Sequence, residues 1–372
     1  MKILFAGDYC PQERVANLLK TGKVDTVFGE VNKYTSLCDY SVVNLECPIA
    51  YGKEKSPLDR LSLSCGKWGL DALKQVGFDC VTLANNHFRD KGGDGVNNTI
   101  ETCKEYGIDH VGGGYNLNDA STVLYKKIGV ETVAIVNCCE HEFSLATVNR
   151  GGANPLNPIR QFHAIKEARK NANYVIVIVH GGHEHWQLPS PRMVETYRYF
   201  VEVGADAVIN HHQHCYSGYE RYMGKMIFYG IGNFCFDNLV PPSKNWHIGY
   251  LVSLSLNDEV VDYEIYPYVQ CRENPKVEFI PLQEIEESIE NLNQIIINED
   301  MLREKTEAYY SVCDDVVKTQ LFPINNRWIK GLWRRGLFPS LSSKKWLMYL
   351  CDFVMCESHR DKMEHYFEHS IY

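Results

Sequence analysis

Apolar runs of strand length alternate with stretches of helical spacing from residue 2 to about residue 212. KILFAG (2–7), YSVVNLE (40–46), FDCVTLANNH (78–87), YVIVIVHGG (174–182) and DAVINHH (206–212) are largely apolar, and all end in polar residues or glycine. That is the pattern of strands buried on both faces. CGKWGLDALKQVG (65–77), GDGVNNTIETCKEYG (93–107), PIRQFHAIKEARKNA (158–172) and SPRMVETYRYFVEVG (190–204) carry apolar residues at helical spacing, and three of the four stop at a glycine. TVLYKKI and TVAIVNC flank Gly129 and predict a hairpin. MIFYGIGNF, HIGYLVSLSL and VVDYEIYPYVQ predict further strands between about 225 and 270. From Pro281 the spacing is helical throughout, so the expected division is a domain over 1–280 and a helical region over 281–372.

Alternating strands and helices predict an α/β layered domain. Its polar residues collect where strands end: Asp8, Asn44 and Glu46, Asn85–His87, His180–Glu184, His211–His214 and Asn233. Ligands of open α/β sheets lie beyond the carboxyl ends of strands. Taken singly, each cluster has a plainer explanation. Asp8 is as readily a turn or helix-cap residue, the asparagines at 85–86 suit a turn, and a lone histidine is more often structural than a ligand. Those explanations must all hold at one end of one sheet, and together they are hard to sustain. A mixed set of Asp, Glu, Asn and His suits divalent metal: imidazole favours Zn, Fe or Mn, and two ions can share an anionic bridge.

Composition narrows the class. The 372 residues carry a net charge of −9, with 45% hydrophobic and 23% charged residues, which is ordinary for a soluble globular protein. An acidic chain is not expected to bind nucleic acid broadly, because phosphate binding needs a basic face. The 14 cysteines are scattered without a CxxC pair and are expected to be mostly reduced, buried thiols of a cytoplasmic protein. MKILFAGDYCPQ has no signal-peptide pattern, and no apolar run approaches the roughly 18 residues of a bilayer span.

An ordered string of motifs then carries a resemblance: FAGD (5–8), VVNLECPI (42–49), GFDCVTLANNHFRDKGGDGVNNTIE (77–101), GIDHVGGG (107–114), VIVIVHGGHE (175–184), GADAVINHHQH (204–214) and IFYGIGNFCFD (227–237). Residues 1 to about 245 resemble the CapA capsule-synthesis family, a branch of the calcineurin-like metallophosphoesterases. The resemblance implies a four-layer αββα sandwich, here with a C-terminal helical extension, and two divalent ions (Mn, Fe or Zn). It implies metal ligands at Asp8, Glu46 (the bridge), Asn86, His180, His212 and His214, with Asn86 and His87 stabilising charge and His87 serving as acid or donor. The family's branch of chemistry implies a hydrolase acting on a phosphorylated or polymer-derived substrate in capsule or poly-γ-glutamate synthesis, in company with other capsule proteins. A non-catalytic assembly component that keeps the metal site as scaffold is the alternative.

Departures from the family pattern leave roles open. Cys10 stands where the superfamily often has a histidine, and is either a thiolate ligand or a small buried thiol. His183 adds a possible ligand in HGGHE, and His211 is either a ligand or an outer residue. One stretch lies outside the resemblance. RWIKGLWRRGLFPSLSSKKWL (327–347) holds six Arg or Lys and no acid, which leaves −15 on the remainder of a chain at −9. Its tryptophans and the apolar MYLCDFVMC that follows suggest peripheral membrane contact through 327–356, at the inner face of the membrane; packing against the main domain is the other reading.

Overall fold

The computed structural model describes residues 1–52, 54, 62–257, 261–320 and 326–337. Eight strands form one sheet: β1 (Lys2–Tyr9), β2 (Tyr40–Leu45), β3 (Cys80–Thr82), β4 (Asp109–Val111), β13 (Asn233–Cys235), β14 (Ile248–Leu256), β15 (Val261–Gln270) and β16 (Val277–Phe279). Six form a second: β6 (Leu124–Ile128), β7 (Glu131–Cys139), β9 (Tyr174–His180), β10 (Ala207–His211), β11 (Tyr219–Tyr222) and β12 (Lys225–Phe228). A small ribbon pairs β5 (Gly113–Gly114) with β8 (Gly152–Ala153). The orders are β16-β15-β14-β1-β2-β3-β4, with β13 also against β1, and β11-β12-β10-β9-β7-β6. The centres of both sheets are parallel; antiparallel strands form both edges of the second sheet and one edge of the first, whose other edge strand, β4, is parallel to β3.

Strand periodicity sorts the residues into layers. Ile3, Phe5, Tyr40 and Val42 share a core with Val133, Ile135, Val175 and Val177 of the second sheet. Their alternates Leu4, Ala6, Val43 and Leu45 pack instead with Val15, Leu19, Val27, Phe28, Leu70, Leu73, Val96 and Ile100 of the helices Glu13–Leu19, Val24–Phe28, Lys67–Val76 and Gly92–Tyr106. Ile165, Met193, Tyr197 and Phe200, from the helices Pro158–Asn171 and Pro191–Val203, cover the second sheet. Both of these helices start with proline behind a side-chain cap: Asn157 accepts from the Ile159 and Arg160 amides, and Ser190 from the Met193 amide. The result is the expected four layers, helices–sheet–sheet–helices.

One residue breaks the alternation. In the β1–β2 register Ala6 pairs with Val43 and Asp8 with Asn44, so Gly7 is an extra residue, a bulge. Without it, Asp8 would follow Leu4 and Ala6 toward the helices. With it, Tyr9 turns to the helix side, its hydroxyl donating to Gly69 O at 2.9 Å, and Asp8 faces the second sheet. Only glycine fits there, because a Cβ on Gly7 would lie 1.8 Å from Gly232 O.

Several elements differ from the sequence reading. The strand expected over 78–87 is hydrogen-bonded as strand only at Cys80–Thr82. Beyond it side chains replace the ladder: Asn85 Nδ2 donates to Leu45 O at 2.8 Å, and the His87 amide donates to Asn85 Oδ1 at 3.2 Å. Three short helices, Glu13–Leu19, Val24–Phe28 and Val31–Thr35, fill the stretch before β2, each too brief to show a periodicity. The chain divides into compact units at Met1–Thr306 and Glu307–Tyr372, later than the boundary expected at Pro281. Ile285, Ile289, Leu292, Ile295, Ile296 and Leu302 are buried in the main core, so the helix Glu286–Ile297 belongs to the first unit.

The second unit is described over the last part of the helix Glu299–Gln320 and the helix Arg327–Arg334, whose first amides, Trp328 and Ile329, donate to the Asn326 side chain. Of the stretch 327–356 read as a membrane contact, 338–356 lies outside the described residues. No helix among the described residues is long and apolar enough to cross a membrane.

Gly7→Ala should destabilise the fold by at least the roughly 1–3 kcal/mol of an overpacked core and should also lower bound metal, because the bulge that aims Asp8 is lost. Denaturant melts and metal analysis of the refolded protein check both; a variant as stable as the parent would show that the bulge is not sterically required.

Candidate metal centre

Strand register assembles the centre. Thr82, Asn44, Asp8 and Asn233 stand side by side across β3, β2, β1 and β13. Cys139, His180 and His211 stand side by side across β7, β9 and β10. The two rows face each other, and loops beyond the strand ends add Glu46, Asn86, His87, Glu142, His212 and His214.

All six residues expected as ligands come together. Asp8, Glu46, Asn86, His180, His212 and His214 are each at most 5% exposed. Two groups of donor atoms lie within 4.8 Å of one another: Glu46, His180 and His212 in one, and Asp8, Glu46 and His214 in the other. Glu46 is common to both. His180 Nε2 lies 3.4 Å from Glu46 Oε1, 3.1 Å from His212 Nδ1 and 3.1 Å from Asn86 Oδ1. His214 Nε2 is 3.7 Å from Glu46 Oε1.

The histidines are fixed through their other ring nitrogen. His212 Nε2 is 3.2 Å from Glu142 Oε1, and Glu142 Oε2 accepts from Asn86 Nδ2 at 3.2 Å. His214 Nδ1 is 2.9 Å from Asn233 Oδ1 and 3.5 Å from Asp8 Oδ2. A carboxylate or amide behind an imidazole sets ring orientation and tautomer, as at metal-binding histidines generally. His212 and His214 also hold φ of 95° and 55°, a left-handed backbone that non-glycine residues rarely adopt outside functional sites.

Glu46 is the carboxylate of the centre that is left without a hydrogen bond. It is fully buried, and neither carboxylate oxygen has a hydrogen-bond partner among the described residues. Its buried neighbours do have partners: Asp8 Oδ1 accepts from Asn44 Nδ2 at 2.7 Å, and Asp90 Oδ2 from the Leu63 amide at 2.8 Å. A buried carboxylate without a hydrogen bond costs several kcal/mol at the order-of-magnitude level, even with imidazoles nearby. Burial accordingly pushes the Glu46 carboxyl well above its usual range, with the charge of Asp8 adding to the effect despite His214. A divalent cation between the two donor groups would remove that cost, and a set of carboxylates, imidazoles and an amide is chemically suited to hold one.

The acids and imidazoles of the centre perturb one another strongly. Burial would raise the Asp8 carboxyl, but the His214 hydrogen bond and the charges of His211 and His180 hold it well below the ordinary range. Burial would lower the His214 imidazole, yet the Glu46 and Asp8 carboxylates raise it to about 9. His180 is lowered, by burial and then by His212, which favours the neutral ring that a metal needs.

His87 sits apart from these donor groups. Its Nδ1 is 2.7 Å from Asp90 Oδ2, in a turn that follows β3. His211 Nδ1 lies 3.5 Å from Asp8 Oδ1 and is buried without a hydrogen bond. His183 is half-buried beside Trp186, their rings 6.0 Å apart, and outside both donor groups. Cys10 also lies outside them, in the helix-side core with Cys47 and Cys65; Gln12 Nε2 donates to its sulfur at 3.4 Å, and burial pushes its thiol up. A protonated thiol there fits the plainer of its two readings. The cysteines from Cys10 to Cys271 are free, and all but Cys38 are buried.

Glu142 and Asp90 were not found from the sequence. Asp90 carries a weak signal, three residues after His87. Glu142 follows β7, whose end was read only as one arm of a hairpin, so the polar residues beyond Cys139 were not placed with the other strand ends.

Comparison with known proteins follows the same stretch of chain. Residues 2–238 match the family model described as bacterial capsule synthesis protein PGA_cap. The capsule biosynthesis protein CapA of Bacillus anthracis is 31% identical over 246 residues, covering 64% of this chain and 60% of that protein. The PGA biosynthesis protein CapA of Bacillus subtilis (strain 168) is 32% identical over 237 residues, covering 63% and 62%. The chain therefore spans about three-fifths of the length of the curated relatives it matches. Among solved structures, a novel phosphatase from Mycoplasma pneumoniae aligns at 17% identity and a TM-score of 0.44, over 78% of this chain and 98% of that one. A 5'-nucleotidase precursor from Thermus thermophilus aligns at 11% identity and a TM-score of 0.45, over 86% and 60%.

Metal should raise the melting temperature of the parent protein, and Glu46→Gln should abolish most of that rise while leaving the metal-free protein at least as stable, since a buried charge has been removed. Calorimetry with and without Mn or Zn checks this; a metal-dependent rise that survives Glu46→Gln would rule out Glu46 as the shared ligand. Cys10→Ser should leave bound metal unchanged in the same assay.

Proposed function

The chain belongs to the bacterial capsule synthesis protein family, and from that premise we propose that it is a metal-dependent hydrolase of capsule or surface-polymer synthesis, with poly-γ-glutamate as the polymer the family points to. The observation that carries the hydrolase reading is Glu46: a fully buried carboxylate without a hydrogen bond, common to two groups of ligand-type side chains.

Glu46, His180 and His212, with Asn86 beside them, would hold one divalent ion, and Glu46, Asp8 and His214 a second. Bound there, such ions supply Lewis acidity and a water made acidic enough to attack near neutral pH. The chain's own residues do the rest. Asp90 accepts from His87 Nδ1 and fixes the ring, which leaves Nε2 as the atom that donates or accepts a proton at the leaving group. Glu142 orients His212 and the Asn86 amide together, so both present their remaining polar atom to the centre. Tight burial of the donors excludes bulk water and strengthens each of these interactions. The substrate is a phosphoester or an amide or ester of a polymer, chemistries that share an electrophile flanked by oxygens.

A non-catalytic assembly role is the second reading. It is favoured by Cys10, which lies away from the donors and leaves the Asp8 group with a single imidazole. Elemental analysis followed by a hydrolase panel of phosphomonoesters, phosphodiesters and γ-glutamyl amides separates the two. Bound metal with turnover supports the enzyme, whereas bound metal with no turnover on any substrate supports the scaffold.

Within the enzyme reading, His87→Gln should keep its metal and lose activity by roughly 10²–10⁴-fold, the usual worth of a positioned acid or base. Loss of metal in that variant would make His87 a ligand instead.

A further inference from the structure

β7 is buried from Val133 to Cys139, and every residue of that run but one is apolar or a cysteine. The exception is Asn137, 2% exposed. A polar side chain in such a place is costly unless its groups are hydrogen-bonded. Asn137 bonds in two directions: Oδ1 accepts from the Ala84 amide at 2.9 Å, and Nδ2 donates to Ile178 O at 3.1 Å. Ala84 lies just past β3 of the first sheet, and Ile178 in β9 of the second. One side chain therefore ties the two sheets together.

The tie sits just behind two of the ligand-type residues. Asn86 follows Ala84 by two residues, and His180 follows Ile178 by two. Asn86 Oδ1 and His180 Nε2, which come from different sheets, end 3.1 Å apart, and His212 Nδ1 is 3.1 Å from the same nitrogen. Asp8, Glu46 and His214 have no such link to Asn137. The surroundings keep room for the amide. A Cβ on Gly112 would lie 1.9 Å from Asn137 Oδ1, and Gly112 holds a φ of 85°, so the first glycine of HVGGG is required where the amide oxygen sits. Asn154 fixes the backbone on both sides of that contact: its Nδ2 donates to Asn137 O at 2.8 Å, and its amide to Gly112 O at 2.8 Å.

We infer that Asn137 is a positioning residue of the metal centre: its amide sets the separation of the sheets at which Asn86 and His180 meet on one ion. The inference rests on the reading of Glu46, His180, His212 and Asn86 as holders of a divalent cation. An apolar side chain of the same size would fill the space, but it would leave the Ala84 amide and the Ile178 carbonyl without this partner and remove the link between the two ligand-bearing segments. Asn137 touches neither substrate nor metal in this scheme. It acts through the two ligands, as groups behind metal ligands do generally.

The test is calorimetric titration of the full chain with Mn²⁺ in two backgrounds. His214→Ala leaves Asn86, His180 and His212 in place, and His212→Ala leaves the group of Asp8, Glu46 and His214. Adding Asn137→Leu should weaken binding roughly 10–100-fold in the first background, the usual cost of losing a group that orients a ligand, and leave it unchanged in the second. Thr35→Val serves as the stability control. It removes a buried hydroxyl that donates to Val76 O at 2.7 Å between two outer helices, and it should lower the melting temperature with neither affinity altered. Should Asn137→Leu fail to fold, Asn137→Ser, whose hydroxyl is too short to reach both partners, reads the same split. Equal losses in the two backgrounds, or no loss in the first, overturn the inference and leave the metal reading standing. Mn²⁺ taken up by neither the parent nor either background overturns the metal reading, and the inference with it.

Discussion

The centre depends on one backbone contact. Gly7 meets the carbonyl of Gly232 where β1 and β13 run together, too close for any side chain, and the extra residue turns Asp8 across the sheet. The Asp8 amide donates to that same carbonyl at 3.2 Å. Everything on the first sheet's side of the site is indexed to this bulge: Asn44 donates to Asp8, Asn233 holds His214, and His212 donates its amide to Asp8 Oδ2 at 3.3 Å. A bulge next to a functional side chain is a common device for re-aiming it.

Around Asp8 the protein builds a layer of asparagines rather than charges. Asn44 Oδ1 accepts from Thr82 and Asn85 while its amide reaches Asp8, and Asn85 also ties down β2 through Leu45 O. Amides serve here because they donate and accept at once without adding charge to a buried site. The charges that remain are balanced in pairs, His214 with Asp8 and His212 with Glu142. Glu46 is left over. A centre whose other carboxylates are hydrogen-bonded, yet which leaves this one with only the His180 and His214 rings beside it, is compatible with a bound cation.

Three of the six described non-glycine residues with positive φ are at the centre, His185, His212 and His214. Two of these rings pack on an aromatic wall: His214 lies 4.9 Å from Trp246 and 5.5 Å from Phe236, and His185 5.8 Å from Trp246. The aromatic wall holds those rings against rotation, so the cost of the backbone is met by packing from β13 and the segment before β14. The second sheet contributes rigidity: β9 is buried along its whole length and carries His180 at its last position.

Much of this was legible in the sequence because it is carried by local pattern. Buried parallel strands show as unbroken apolar runs, helices as apolar residues three and four apart closed by glycine, and strand ends as the points where His, Asp, Glu and Asn first appear. Asp8, Glu46, Asn86, His87, His180, His212 and His214 could all be nominated that way, with a family resemblance to order them. What only the tertiary structure decided are relations between residues far apart in the chain. That Cys10 belongs to the helix-side core and not among the donors follows from the chain leaving the strand after Tyr9, which FAGDYC does not show. That Glu142 stands behind His212, far along the chain, follows from β7 lying next to β9. That the helix after Pro281 joins the main core, although its composition resembles what comes later, follows from Ile289, Leu292 and Ile296 meeting apolar surface there. Periodicity tells a residue which face it lies on, and only packing tells it what that face will meet.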